Sequence, residues 1–404
     1  MQQHLRPASI LPVDHEKATL IGRVWSPAAG GPMPVLVRGT ELFDLSALAR
    51  TLSQLLELKS ALAAIQAAPA LPCIGGLAQI LGNTDPRARD AARPWLLAPC
   101  DLHALKASGV TFVESLLERV IEEQARGDAS KAEAVRRSVV DVIGSDLAGL
   151  RPGSPAAMKL KQVLIEKKLW SQYLEVGIGP DAEIFTKSQP LSAVGCGMEV
   201  GIHPQSRWNN PEPEIVLAAN SRGEVLGATL GNDVNLRDFE GRSALLLGKA
   251  KDNNGSCAIG PFIRLFDTGF SIDDVRRCEV SLRVEGLEGY VLNGGSSMAK
   301  ISRDPLALMA EAIGPTHRYP DGLMLFLGTM FAPTEDRGEP GQGFTHALGD
   351  IVSVATPRLG ALVNRVNHAD KTEPWSFGIG AMIDYLGVTP ASTPTPLSRA
   401  STTR

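Results

Sequence analysis

The stretch Pro211-Glu212-Pro213-Glu214 opens a short apolar run, Ile215 to Ala219. A tight turn, Asn220-Ser221-Arg222-Gly223, separates it from a second run, Val225 to Leu230, which leads to Asp233. Side chains alternate along a strand, so glutamates at i and i+2 share one face. Asp233, arriving from the second strand, completes a cluster of three carboxylates. Three hard anionic oxygens at one spot repel one another unless a cation lies between them, and oxygen-only donors suit magnesium, manganese or calcium. An exposed edge strand also shows a Glu-x-Glu pattern, so the reading depends on what surrounds it.

The 404 residues exceed one ordinary domain and allow a sizeable core. Apolar content of 44% and charged content of 21% are those of a globular chain, and a formal charge of −4 offers no basic stripe for nucleic acid or anionic membrane. No apolar run reaches the roughly 18 residues of a membrane span. Met1 to Pro12 lacks a charged segment followed by an apolar one, so no secretory signal is expected. Cys73, Cys100, Cys196, Cys257 and Cys278 are scattered, without a CxxC pair. Reduced thiols and a cytoplasmic location follow as expectations.

Along the chain, Leu20 to Trp25 and Pro34 to Arg38 read as strands flanking a Pro/Gly turn. Asp44 reads as the N-cap of a helix over 45–58, with leucines at helical spacing. Residues 64–100 show little periodicity. Helical patterns run from Val113 to about Val142 and from Ser154-Pro155 to about Gln172, and Gly177 to Pro180 punctuates a boundary. Residues 183–300 are dense in glycine and β-branched residues, with Cys278 to Val284 a further strand. The segment 388–404, rich in Ser, Thr and Pro, reads as a disordered tail.

Further motifs follow in order. Asn232-Asp233 leads to Arg237-Asp238, and Lys251 precedes Gly260-Pro261 by ten residues (261 − 251). Gly328-Thr329, Gly349-Asp350-Ile351-Val352 and Gly360-Ala361-Leu362-Val363-Asn364 come later. With the Glu-x-Glu, this ordered set resembles the fumarylacetoacetate hydrolase family over about residues 105–387. The resemblance implies an α+β fold, with a C-terminal mixed β-roll and a smaller α+β N-terminal domain. It divides the chain into 1–105, a helical connecting segment over 106–180 that contributes to the site, and a catalytic roll over 181–387. Members of the family are usually homodimers.

The gap from Glu214 to Asp233 is nineteen residues (233 − 214). Hydrolases of the family carry a longer, helical insertion there. The compact form, with Glu240-Gly241-Arg242-Ser243 after Arg237-Asp238, is similar to the sugar-acid dehydratase branch. That branch converts 2-keto-3-deoxy-pentonates into 2,5-dioxopentanoate. Its hydrolase relatives carry G-x-x-Y-x-x-H-x-x-E, whereas this chain reads Gly109 to Glu118 with Phe112 for the tyrosine and Ser115 for the histidine. Without that histidine a base for hydrolytic water is missing from the motif.

The resemblance therefore implies Glu212, Glu214 and Asp233 as metal ligands and a divalent ion, magnesium first, as cofactor. Lys251 would stabilise enolate charge, although an exposed lysine would have the same local sequence. Glu118 is the retained acid or base, with Glu114 and Glu122 at helical spacing and Ser115 beside it. Lys187 in Phe185-Thr186-Lys187, Arg237, Gly328 and Thr329 are expected to contact substrate, the last two as an anion nest. Asn293 to Ser297 reads as a second such loop or a turn, His203 as a packing residue, Asp350 as a turn residue, and His317 and His346 as loop residues. Two alternatives stay open: a hydrolase cleaving a C–C bond of a 2,4-diketo acid, and a non-catalytic oxo-acid binder.

Overall fold

In the computed structural model, which describes residues 1–68, 70–133, 150–166, 170–331, 333–338 and 340–388, the hairpin lies at the centre of a large sheet. Strand Pro213–Ala219 runs antiparallel to Val225–Asp233, with Glu214 opposite Gly231 and Pro213 opposite Asn232. The turn closes through Gly223 N–H to the Asn220 carbonyl at 3.0 Å. Every residue of Pro213–Ala219 is buried, as expected of a strand covered on both faces. Cys257–Leu265 flanks the hairpin on one side and Leu323–Phe326 on the other.

Outward from there, Leu323–Phe326 pairs in parallel with Ala104–Gly109, which pairs with Glu183–Ser188. On the opposite side Cys257–Leu265 joins Leu20–Ser26, then Gly31–Arg38, Glu41–Asp44 and Cys73–Gly76, with Trp95–Leu97 attached to Leu20–Ser26. One eleven-stranded mixed sheet thus runs from N-terminal into C-terminal strands. A second sheet orders Val291–Ser297, Glu279–Glu285, Ile351–Thr356, Gly360–His368 and Glu199–Ile202. Residues of the two sheets share one core, in which Ile215, Leu217 and Leu230 meet Val280, Leu282, Val354 and Leu362. Strand Glu279–Glu285 alternates between buried and solvent-facing residues, so its other face meets water. Both sheets are mixed and carry helices at their margins, which is the α+β roll expected.

Helix Leu52–Glu57 lays Leu52, Leu55 and Leu56 on the other face of the large sheet, against Ile21, Val216 and Met324. Each fully buried leucine contributes about 2 kcal/mol. A third cluster joins helices Val113–Ala125, Pro155–Glu166 and Gln172–Ile178 beside the sheet.

Local expectations shift in four places. Asp44 ends strand Glu41–Asp44 instead of capping a helix over 45–58; its Oδ1 accepts the Ser46 N–H, and Thr51 caps the shorter helix from Leu52. Pairing with Gly31–Arg38 and Cys73–Gly76 outweighs the leucine periodicity there. Residues 64–100 contain two helical segments and two strands. Asn293 to Ser297 lies within strand Val291–Ser297, because Glu279–Glu285 pairs along it. The expected run to Gln172 is described as a helix over Pro155–Glu166, 167–169 lie outside the described residues, and Gln172 begins another helix under a Ser171 cap. The parts of the expected helix over 134–142 and of the tail over 389–404 lie outside the described residues.

Candidate active site

Glu214 follows Glu212 along the strand, and Asp233 closes the neighbouring strand, its N–H bonded to the Glu212 carbonyl at 3.0 Å. The hairpin therefore delivers all three carboxylates to one end of the sheet. Each offers an oxygen within 4.8 Å of the other two, and all three residues are buried. This donor set, all carboxylate oxygen, fits a hard divalent cation.

Two lysines lean on the cluster. Lys251 Nζ reaches Glu212 Oε2 at 2.6 Å and Asp233 Oδ2 at 3.2 Å. Lys187 Nζ lies 3.0 Å from Asp233 Oδ1 and also donates to the Lys251 carbonyl. Both lysines are buried, Lys251 on helix Leu247–Lys251 and Lys187 on strand Glu183–Ser188. Glu214 is treated differently: its Oε2 accepts the Gly328 N–H at 2.6 Å. Gly328 takes φ of +87°, and a Cβ there would lie 2.1 Å from Thr111 Oγ1, so only glycine presents that N–H.

The electrostatics separate the two glutamates. Burial pushes Glu212 up, but Lys251 and Arg119 more than offset it and hold its carboxyl below the usual range. Glu214 is pushed well above that range by burial, then by Asp233 and Glu212. Burial would lower Lys251, yet Asp233, Glu212 and Glu240 raise it, so it stays an ammonium.

Helix Val113–Ala125 forms the facing wall. Arg119 binds Glu212 Oε1 at 2.6 Å, Glu122 at 2.7 Å and Glu240 at 3.2 Å. Arg237 binds Glu118 at 2.9 Å and Glu122 at 2.6 Å, and its guanidinium lies over the Trp208 ring. Its third nitrogen, Nη1, donates to the Pro333 carbonyl at 3.1 Å, so Arg237 ties the wall to that loop. Ser115 Oγ donates to the Phe112 carbonyl of its own helix while lining the pocket with Lys251 and the three carboxylates. Thr329 lines it too, its Oγ1 accepting the Phe331 N–H. The space among these side chains is about 20 Å³.

Of the residues named from sequence, the pocket gathers Glu212, Glu214, Asp233, Lys251, Ser115, Gly328 and Thr329. Glu118 and Arg237 line an adjoining cleft behind Arg119, and Lys187 lies beneath Asp233. His203 stacks edge-on against Phe239, whereas buried His346 and Arg337 hold Asp350. Gly328 serves Glu214 instead of standing open as an anion nest.

Three residues were missed. Arg119 stands among glutamates and looks like a surface pair. Glu183 was findable, since Glu183, Phe185 and Lys187 alternate onto one face of their strand, and Glu183 and Phe185 line the pocket. Gly109 faces Glu183 across the sheet, and a Cβ on it would lie 1.9 Å from Glu183 Oε2. Glu240 completes the set. Burial raises both acids, Glu240 to about 7. In all, Glu118, Glu122, Glu183, Glu212, Glu214, Asp233 and Glu240 face Arg119, Lys187, Arg237 and Lys251, an excess of three acids over bases.

Residues 180–367 match the model of the fumarylacetoacetate (FAA) hydrolase C-terminal family. They form a fumarylacetoacetate hydrolase C-terminal domain. The domain contains all three clustered carboxylates and both lysines, whereas Ser115, Glu118 and Arg119 reach it from the preceding segment. The 2-dehydro-3-deoxy-D-arabinonate dehydratase of Saccharolobus solfataricus is 31% identical over 189 residues, 47% of this chain and 60% of that protein. A probable 2-keto-3-deoxyxylonate dehydratase of Haloferax volcanii is 28% identical over 201 residues, 50% of this chain and 65% of that protein. The matches thus span less than two thirds of these relatives. A solved 2-keto-3-deoxy-D-arabinonate dehydratase, complexed with magnesium and 2,5-dioxopentanoate, superposes with a TM-score of 0.59 at 19% identity. It covers 86% of this chain and 99% of its own, and the likeness shows a shared fold.

Proposed function

We propose that this chain is a divalent-cation-dependent hydro-lyase that converts a 2-keto-3-deoxy-pentonate into 2,5-dioxopentanoate. The observation that carries the reading is the pocket itself. Three carboxylates, one of them without a direct ion pair among the described residues, meet a buried ammonium, while serine occupies the position of the hydrolase histidine. The two curated relatives are named as dehydratases of this substrate class, and the superposed structure holds magnesium and the corresponding product. The proposal extends to a homodimer, as the family resemblance implies, and to a cytoplasmic location, as the scattered thiols suggest.

Glu212, Glu214 and Asp233 would hold the ion, magnesium first. When bound it supplies Lewis-acid polarisation of the keto group. The chain's own residues do the rest. Lys251 keeps a fixed positive charge beside the carboxylates, where negative charge develops on the substrate once C3 loses a proton. Glu183 and Glu240, both lifted by burial, suit the movement of that proton and of the one needed by the departing C4 hydroxyl. The C3–H and C4–O bonds break and water leaves; a proton shift from C5 to C3 then gives the C4=C5 enol, and transfer of its hydroxyl proton to C4 yields the aldehyde. Lys187 and Arg119 hold Asp233 and Glu212 in place. A pocket of about 20 Å³ takes one water-sized group, so a five-carbon acid enters only as the wall bearing Ser115 and Arg119 gives way.

The test is incubation with each 2-keto-3-deoxy-pentonate enantiomer, with magnesium or with chelator, and capture of the product by semicarbazide. Magnesium-dependent release of 2,5-dioxopentanoate is expected. Two carbon fragments would point to the hydrolase, and absence of product with retained binding would point to an oxo-acid binder.

A further inference from the structure

A second, roomier cavity lies away from the carboxylates. It encloses about 420 Å³ and shares no lining residue with the pocket of Glu212, Glu214 and Asp233. That volume is in the range of small organic ligands. Its floor is strand Leu20–Ser26, which places Arg23 and Trp25 on one face at i and i+2. Strand Trp95–Leu97 pairs beside it, with Trp95 directly opposite Trp25 and the two indoles stacked at 5.6 Å. The segment Glu373 to Phe377 closes another side: Phe377 meets the Trp25 ring edge-on at 5.2 Å, and Trp375 lines the rim, partly exposed. This segment is fastened by Arg89, which binds both oxygens of Glu373 at 2.7 and 2.9 Å.

Arg23 is the cavity residue whose hydrogen-bonding capacity the fold leaves incomplete. It is 5% exposed, and its Nε donates to the Ala98 carbonyl at 2.9 Å. Its Nη1 is buried without a hydrogen-bond partner among the described residues, and no carboxylate there lies within 4 Å of it. Nearby Asp101 spends its oxygens on the N–H groups of Leu52, Ser53 and Leu102. Against the push of burial, Arg23 is the counter-charge that holds the Asp101 carboxyl below its usual range, but a guanidinium nitrogen buried without a hydrogen-bond partner is still costly. The cavity's charged side chains, Arg23 and Arg89 against Glu373, leave one positive charge in excess. The planar guanidinium fits a carboxylate, and the indole walls fit an aromatic body.

We propose that this cavity is a second ligand site, which binds a small aromatic monocarboxylate with its carboxylate on Arg23 and its ring among Trp25, Trp95, Trp375 and Phe377. The site is independent of the proposed catalysis. Calorimetric titration of the full-length protein with 1-naphthoate and with neutral 1-naphthamide tests it. Naphthoate is expected to bind once per chain, at least tenfold more tightly than the amide. Arg23→Met should remove that preference, and Trp375→Ala, at a partly exposed ring, should weaken both ligands. Equal affinity for acid and amide in the native protein overturns the proposal. So does naphthoate binding unchanged by Trp375→Ala, or no saturable binding at millimolar concentration, as when a second copy of the chain covers Trp375. Should Arg23→Met fail to fold, the acid–amide comparison and Trp375→Ala decide alone.

Discussion

Glu214→Gln separates two effects that the carboxylate cluster combines. The substitution keeps shape and volume but removes the one cluster carboxyl that makes no direct ion pair among the described residues. In the metal-free protein Glu214 is held well above its ordinary pKa by burial, Asp233 and Glu212. A raised pKa means the folded state binds the proton more tightly. The associated stability is complete below the usual glutamate value and is lost as pH rises through the folded value. Each unit of such a shift corresponds to about 1.4 kcal/mol. An unfolding entropy of about 2.1 cal/mol/K per residue gives roughly 0.85 kcal/mol/K for a chain of this length, so each unit is worth about 1.6 °C. Metal-free Glu214→Gln is therefore expected to melt above the native protein at pH 8, with a flatter stability profile between pH 5 and 8. Magnesium acts in the opposite sense. An ion at a hundred times its dissociation constant stabilises the native site by about 2.7 kcal/mol, or about 3 °C. That increment should vanish in the variant, together with turnover. Scanning calorimetry in chelator and in excess magnesium reads both effects. If the variant melts lower without metal and keeps the full magnesium increment, the cluster is not a cation site.

Three further outcomes follow from the same network. Arg119→Met leaves Glu212, Glu122 and Glu240 without their shared partner; loss of about 3–5 kcal/mol is expected, a fall of about 4–6 °C, and denaturation with a change below 1 °C would refute it. Gly328→Ala forces a side chain into φ of +87° and against Thr111 Oγ1; magnesium affinity measured by calorimetry should weaken at least tenfold as the N–H leaves Glu214, and unchanged affinity would sever that link. Burial pushes Asp350 up, but hydrogen bonds from His346 and Arg337 more than offset it, so its carboxyl lies below the usual range. Its stabilisation is present above the ordinary aspartate pKa and lost as pH falls through the lower folded value. Asp350→Asn should thus flatten the stability profile below about pH 4, as read by acid titration of ellipticity.

What was legible in the sequence, and what was not, divides along the range of the forces involved. Glu212, Glu214 and Asp233 were legible because two local rules place them: alternation along a strand, and a four-residue turn that sets the register of the next. Lys251 needed its distance to Pro261, since nothing in its neighbours marks a buried ammonium. The helix expected over 45–58 failed because Asp44 pairs with Val35 on one side and donates its N–H to the Pro72 carbonyl, 28 residues on (72 − 44), on the other. Arg119 and Glu240 failed for a related reason. Glu118 and Glu122 around Arg119 fit a solvated helix face equally well by their spacing, and packing against the Arg237–Glu240 turn buries them. Burial then changes the meaning of the same letters. On a surface the Arg119–Glu122 pair would contribute a few tenths of a kcal/mol. Buried, it becomes one link in a chain running from Glu240 through Arg119 to Glu212 and on to Lys251. The excess of carboxylates over cations around the pocket exists only in three dimensions, and it is this excess, more than any motif, that calls for a divalent ion.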